Sequence, residues 1–205
     1  DGIDGIVLGS FVKAGDVFAT DVKVLDVVTK KLLKSANTKS EGLASILESQ
    51  IDYLSEEIAE GIGLSPREIK SVPLKIADVT TTSMEAYNYF LRGREDYEKF
   101  YYDSSRQFLE KAVELDPTFA VAYLHLAWAY AELGNTKARN EAYEKAKTFS
   151  AKATDKEKLY IEAYYARAIE KDPEKRFLIL KQIAEKYPKE KIVHSDLGLY
   201  YQGKN

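Results

Sequence analysis

A pattern of small and bulky residues recurs about every 34 positions through the second half of this 205-residue chain, and it limits the fold more than any other feature. In Ala86–Pro117 the residues Tyr89, Gly93, Ser105, Leu109, Ala112 and Pro117 stand in aromatic, small, small, bulky, small and proline slots. A shift of 34 lands on Tyr123, Ala127, Arg139, Tyr143 and Ala146, with Leu126 and Tyr130 filling two slots that the first copy leaves imperfect. Near the end, Leu197-Gly198 and Tyr201 repeat part of the phrase. Small residues at this spacing let two helices approach closely, and the bulky ones fill the space that is left. Pro117 and Pro188 follow apolar-periodic stretches, where a residue without an N–H stops one helix and can start the next. From Gly93 to Gly198 is three periods plus three residues, and from Pro117 to Pro188 two periods plus three. Both intervals require one insertion of three residues in the third repeat, and Lys156–Glu170 fits the pattern in more than one register.

The first part of the chain has a different rhythm. Ile6–Val12 is an apolar run, Lys13-Ala14-Gly15-Asp16 a turn, and Val17–Val28 alternates, with Phe18, Val22 and Val24 on one face against Asp21 and Lys23 on the other. Thr29-Lys30-Lys31 turns the chain again, and Leu32–Thr38 reads as a third, shorter strand. After Gly42 the period lengthens: Leu43, Leu47, Ile51, Leu54 and Ile58 mark one amphipathic helix, closed by Gly61 and Gly63. Ser65-Pro66-Arg67-Glu68 starts a short helix with Pro in its first position. Val72–Thr81 reads as an extended connection. Thr82–Glu85 and Thr154–Glu157 have capping-box form and open the first and third repeats.

Composition removes several classes of function. There is no cysteine, so disulfides, zinc–thiolate sites and thiol nucleophiles are excluded. The 30 basic residues nearly balance 33 acidic ones, and no long basic block argues for nucleic acid as a partner. No stretch reaches the roughly 20 apolar residues of a membrane span, so direct insertion by this segment is not expected. No signal-peptide pattern is present, and the chain opens on a strand region without Met. That is the expectation for a fragment; compartment stays open, with the cytoplasm favoured over the periplasm. His125 and His194 have no acid at ligand-like spacing, and Gly2, Gly5 and Gly9 do not have phosphate-loop spacing. Neither a metal nor another cofactor is expected.

The repeat resembles the tetratricopeptide family, whose helical hairpins stack into a superhelix. Both halves together resemble the C-terminal regulatory region of some bacterial serine/threonine kinases, adenylate cyclases and transcriptional regulators, in which a TolB-like or FlgO-like α/β domain precedes such repeats. The residues carrying this are Gly9–Asp16, Val24–Thr29, Thr81–Tyr87 and Glu114–Ala120. The opening strand and helix of that domain are missing, and no kinase or cyclase motif is present. The expected fold is therefore α+β: a partial α/β domain with its connection over 1–80, then an all-α repeat superhelix over 81–205, three repeats plus the first helix of a fourth.

By the same resemblance, the first helix of each repeat lines a concave groove. Its slots hold Tyr87, Phe90, Arg94, Tyr97 and Glu98 in the first repeat, and Val121, Leu124, Trp128, Ala131 and Glu132 in the second. An aromatic and apolar trough bordered by Arg94 suits a protein or peptide segment with one or two apolar anchors. The family's peptide-carboxylate clamp is not met, since Phe90 and Arg94 occupy its Lys and Asn slots. Trp128 reads as a groove residue, because Tyr123, Leu126, Ala127 and Tyr130 fill the packing slots of its helix. The expectation is a non-catalytic interaction or scaffolding region of a bacterial signalling protein. The alternative is a small-molecule or nucleotide sensor, or an enzyme, in the α/β part with the repeats as a spacer. Leu197, Leu199, Tyr200 and Tyr201 cannot all point inward, which implies a continuing array or weak self-association through the C-terminal end.

Overall fold

The computed structural model describes residues 5–42, 45–70 and 81–202, and the chain divides into two compact units, Asp1–Asp78 and Val79–Asn205. The first unit is a three-stranded antiparallel meander, β1 (Gly5–Ala14), β2 (Val17–Asp26) and β3 (Leu32–Glu41), in the order β1-β2-β3. The third strand runs to Glu41 rather than stopping at Thr38. Its polar end stays paired with β2, Ser40 opposite Phe18 and Glu41 opposite Val17. Backbone pairing here overrides weak side-chain propensity.

Phe18, Val22 and Val24 all face inward on β2 and are buried. A π turn (Ile46–Gln50) and helix α1 (Ile51–Gly61) cover them with Leu47 and Leu54. The start of the expected helix, at Leu43, lies outside the described residues. Buried Gln50 ties the helix to the sheet: its Nε2 donates to the Phe18 carbonyl at 3.0 Å and its Oε1 accepts from Thr20 Oγ1 at 2.8 Å. The two glycines that end this pattern have different tasks. A Cβ on Gly61 would stand 2.6 Å from Lys34 Cβ, so this glycine permits close helix-on-sheet contact, whereas Gly63 adopts φ +92° and turns the chain out of the helix. Helix α2 (Pro66–Lys70) follows. The expected extended connection lies outside the described residues, apart from Thr81.

The second unit is a stack of helical hairpins. Its helices are α3 (Met84–Glu98), α4 (Tyr102–Leu115), α5 (Ala120–Glu132), α6 (Thr136–Thr148), α7 (Asp155–Tyr165), α8 (Pro173–Lys186) and α9 (Lys191–Gln202). The Thr154–Glu157 capping box forms, with reciprocal bonds between side chains and backbone. At the first repeat the cap is Ser83, which accepts from the Ala86 N–H, not Thr82. Placing the helix start one residue later puts Ala86 where a capping box would need Glu85, and Thr81 Oγ1 instead accepts from the Ser83 N–H.

The small slots are contact points. A Cβ on Gly93 would lie 2.6 Å from Leu109 Cγ and 3.1 Å from the Ser105 carbonyl, and Ser105 Oγ donates to the Gly93 carbonyl at 2.7 Å. Ala112, Ala127 and Ala146 are fully buried. The three-residue insertion is split in two. The spacing from buried Ala146 to buried Ala163 is two residues longer than that from Ala112 to Ala127, and the extra length is taken up around a 3₁₀ turn at Ser150–Lys152. One more residue enters after Ala163, where α7 continues as a π turn, Ala166–Glu170, before buried Leu180 restores the register. A π turn holds one residue more than a regular turn, so it absorbs a single insertion without breaking the helix. On α9, Val193 is buried and Tyr200 stacks on Phe177 with ring centroids 4.2 Å apart, while Leu199 and Tyr201 are exposed.

Candidate functional site

A cavity of about 600 Å³ opens in the helical unit where the third repeat departs from the period. One side is aromatic and apolar, formed by Tyr97 of α3, Trp128 and Ala131 of α5, Tyr164 of α7 and Ile192 of α9. The other is polar, formed by Arg139 and Tyr143 of α6, Arg167 and Ala168 of the π turn, and Lys171 just after it, with Glu132 and Asp196 also in the lining. Arg139 and Tyr143 are one helical turn apart and so share a face. Lys171 is in the left-handed region, φ 59°, where the chain leaves the π turn.

The aromatic side is a connected set. Trp128 packs on His125 at 4.5 Å, Tyr164 at 5.1 Å and Tyr97 at 6.2 Å between ring centroids. It is half-buried, and its Nε1 is shut off from solvent without a hydrogen-bond partner among the described residues. Trp128 therefore belongs both to the cavity wall and to the packing beneath it, where the sequence suggested groove alone. His125 lies under it, edge-on to Phe90 at 5.2 Å, and its Nδ1 is likewise buried without a partner among the described residues. Burial, reinforced by the Arg94 charge, pulls the His125 pKa down to about 3, so the imidazole is neutral.

Of the two carboxylates of the site, Asp196 is charge-paired. Asp196 Oδ2 accepts from Arg176 Nη2 at 2.6 Å and from the Tyr164 hydroxyl at 3.1 Å, with both charged side chains nearly buried. Glu132 accepts from the Tyr97 hydroxyl at 3.4 Å. The cations Arg139, Arg167 and Lys171 have no carboxylate within ion-pair distance among the described residues. Arg139 donates only to Asn140 Oδ1, at 3.1 and 3.0 Å, and Lys171 Nζ to the Ala168 carbonyl at 2.5 Å. Burial pushes the Tyr143 hydroxyl up to about 12, against the pull of Arg139, Arg167 and Arg176. Tyr143 therefore stays a neutral donor beside three guanidinium groups.

Of the residues expected in the groove, Tyr97, Trp128, Ala131 and Glu132 line this cavity. Phe90, Val121 and Leu124 do not face a ligand. They are buried in the helical core, where Phe90 meets Phe119 at 5.1 Å. Tyr87 is half-buried against the same core, and Arg94 lies over the Phe90 ring at 5.9 Å. Glu98 is exposed at the end of α3 and is not part of the cavity lining. Arg167, Ala168 and Lys171 were missed because the register of the third repeat was open, and Arg139 and Tyr143 because the groove was assigned to the first helix of each repeat alone. Arg139 did carry a signal, since it occupies the slot that buried Ser105 fills in the first repeat, and a guanidinium cannot be buried there unpaired.

Among the described residues no group of three or more His, Asp or Glu side chains is arranged to hold a metal ion, and no helix is long and apolar enough to cross a membrane. Two tetratricopeptide-repeat family models match the chain, one over residues 86–119 and one over 108–139. The chain thus contains a tetratricopeptide-repeat region, and neither match reaches the N-terminal unit. No curated protein matches the chain. Tetratricopeptide repeats generally mediate protein–protein interaction and are typically non-catalytic.

Proposed function

We propose that this chain is a non-catalytic interaction region of a bacterial signalling protein, and that it holds a segment of a partner protein in the cavity between its second and third repeats. The observation that carries the reading is the coincidence of two departures from regularity. The repeat period breaks at the 3₁₀ turn and at the π turn, and the cavity opens beside the second of these, walled by Trp128, Tyr164 and Tyr97. A cleft of this volume with an aromatic wall and a few convergent polar groups has the dimensions of a peptide side-chain site. Aromatic residues in such a cleft supply most of the affinity when an apolar side chain covers them.

The test is direct, because Trp128 is the only tryptophan in the chain. Peptides selected from a random displayed library on the purified protein should shift Trp128 fluorescence on titration and should lose binding in a Trp128→Ala variant that remains folded by circular dichroism. Selection of no peptide, or of peptides that bind the variant equally well, would remove the cavity from consideration.

A further inference from the structure

Resting on that reading, we infer that the segment held here is acidic: a peptide carrying an Asp or Glu side chain beside an apolar one, with the carboxylate received by Arg139 and Arg167 and the apolar group laid on Trp128. The chain as a whole has a net charge of −3, so an uncompensated cationic cluster is not a consequence of general composition. Several bases elsewhere in the helical unit do have acids. Lys99 pairs with Glu95 at 2.5 Å, Lys111 with Glu114 at 2.6 Å, and Arg106 with Glu110 at 2.7 Å. Arg176, next to the cavity, has Asp196.

Arg139, Arg167 and Lys171 have none among the described residues, which they share with bases such as Lys145 and Lys191, but these three converge on one cavity. Arg139 spends its guanidinium on a neutral amide, which leaves its charge uncancelled. The π turn is what brings Arg167 in. The extra residue rotates every later position of that helix relative to a regular repeat, and Arg167 is its second residue. A carboxylate arriving there meets two planar guanidinium forks, an ammonium and the hydroxyl of Tyr143, which burial keeps neutral and able to donate. An approaching cation meets three like charges and, among the lining carboxylates, only Glu132 to offset them, since Asp196 is already bonded to Arg176 and Tyr164. The field therefore favours acidic partners and opposes basic ones.

The experiment selects a random displayed peptide library on the wild-type chain and on Arg139→Glu/Arg167→Glu, then measures the selected peptides by fluorescence anisotropy. Acidic residues next to Leu, Phe or Tyr should be enriched on the wild type, and the charge-reversed variant should bind those peptides about tenfold more weakly or worse. Added salt should weaken the wild-type complex. The neutral Arg139→Gln/Arg167→Gln variant serves if reversal disturbs folding, and should show a smaller loss in the same direction. Enrichment of uncharged or basic peptides that still shift Trp128 fluorescence would overturn the acidic assignment and leave the cavity reading standing. Selection of nothing would overturn both.

Discussion

Protonation of His125 should weaken the helical unit as pH falls, and the structure gives the size of the effect. Its Nδ1 is buried without a partner among the described residues, its ring is wedged between Phe90 and Trp128, and the nearby Arg94 charge opposes a second cation. The group titrates near 6.5 in an unfolded chain and at about 3 in the folded one. Because the folded pKa is depressed, the unfolded state takes up the proton first. The contribution is thus fully present above pH 6.5 and is lost as pH falls toward 3. Each pH unit below 6.5 removes about 1.4 kcal/mol, so between roughly pH 7.5 and 4.5 the loss has an upper bound of about 3 kcal/mol. Part of the ring surface is accessible to water, which lowers the expected value to about 2 kcal/mol. Carboxylates also lose stabilisation in this range, so the measurement is a difference. Urea unfolding followed by Trp128 fluorescence at both pH values, for the wild type and for His125→Leu, isolates the histidine. The variant should lose about 2 kcal/mol less than the wild type on acidification. Equal losses in the two proteins would mean that the imidazole is solvated or hydrogen-bonded in the fold, and the burial argument would be wrong.

Gly93→Ala should destabilise the helical unit by about 1 to 3 kcal/mol, because the new methyl would stand 2.6 Å from Leu109 Cγ; a thermal melt unchanged from wild type would show that Leu109 can move aside. Trp128→Ala should cost about 2 to 3 kcal/mol in urea unfolding followed by circular dichroism, between an exposed and a core aromatic, since its ring touches three others while its face stays open to the cavity. A loss under about 1 kcal/mol would make it a surface residue. Asp196→Ala should cost about 3 kcal/mol by leaving Arg176 buried and unpaired, whereas joint replacement by Arg176→Met and Asp196→Leu should recover much of that loss. Equal melting temperatures for the single and double variants would contradict a buried ion pair.

The period of 34 was legible because it is written in buried residues. Gly93, Leu109, Ala112, Ala127, Tyr143 and Ala146 are all buried, and Gly93 is held against Leu109 at contact distance, so substitution is costly and the pattern stays readable. The alternation of Phe18, Val22 and Val24 was legible for the same reason. Strand ends and caps were not: Ser83 against Thr82, and Glu41 against Thr38, differ by backbone hydrogen bonds that several side chains could serve equally well. The third repeat was opaque because Lys156–Glu170 offers apolar residues on more than one face. Only the π turn, which no side-chain pattern announces, fixes which of them point inward.

Groove membership was legible only in part, and the reason lies in the geometry of a curved stack. A slot assigned from the repeat is a direction from the helix axis, and whether that direction meets solvent depends on how far the next hairpin stands away. Near the start of the array α3 and α5 are close enough that Phe90, Val121 and Leu124 are sealed between helices. Further along, the two extra residues around Ser150–Lys152 and the one at the π turn change the spacing, and equivalent directions at Trp128 and Tyr164 open onto a cavity. Where the array keeps its period it has used its inward side chains for packing. Where the period fails, side chains are left over, and among them are Arg167 and Lys171, which meet Arg139 of the regular second repeat in one cavity.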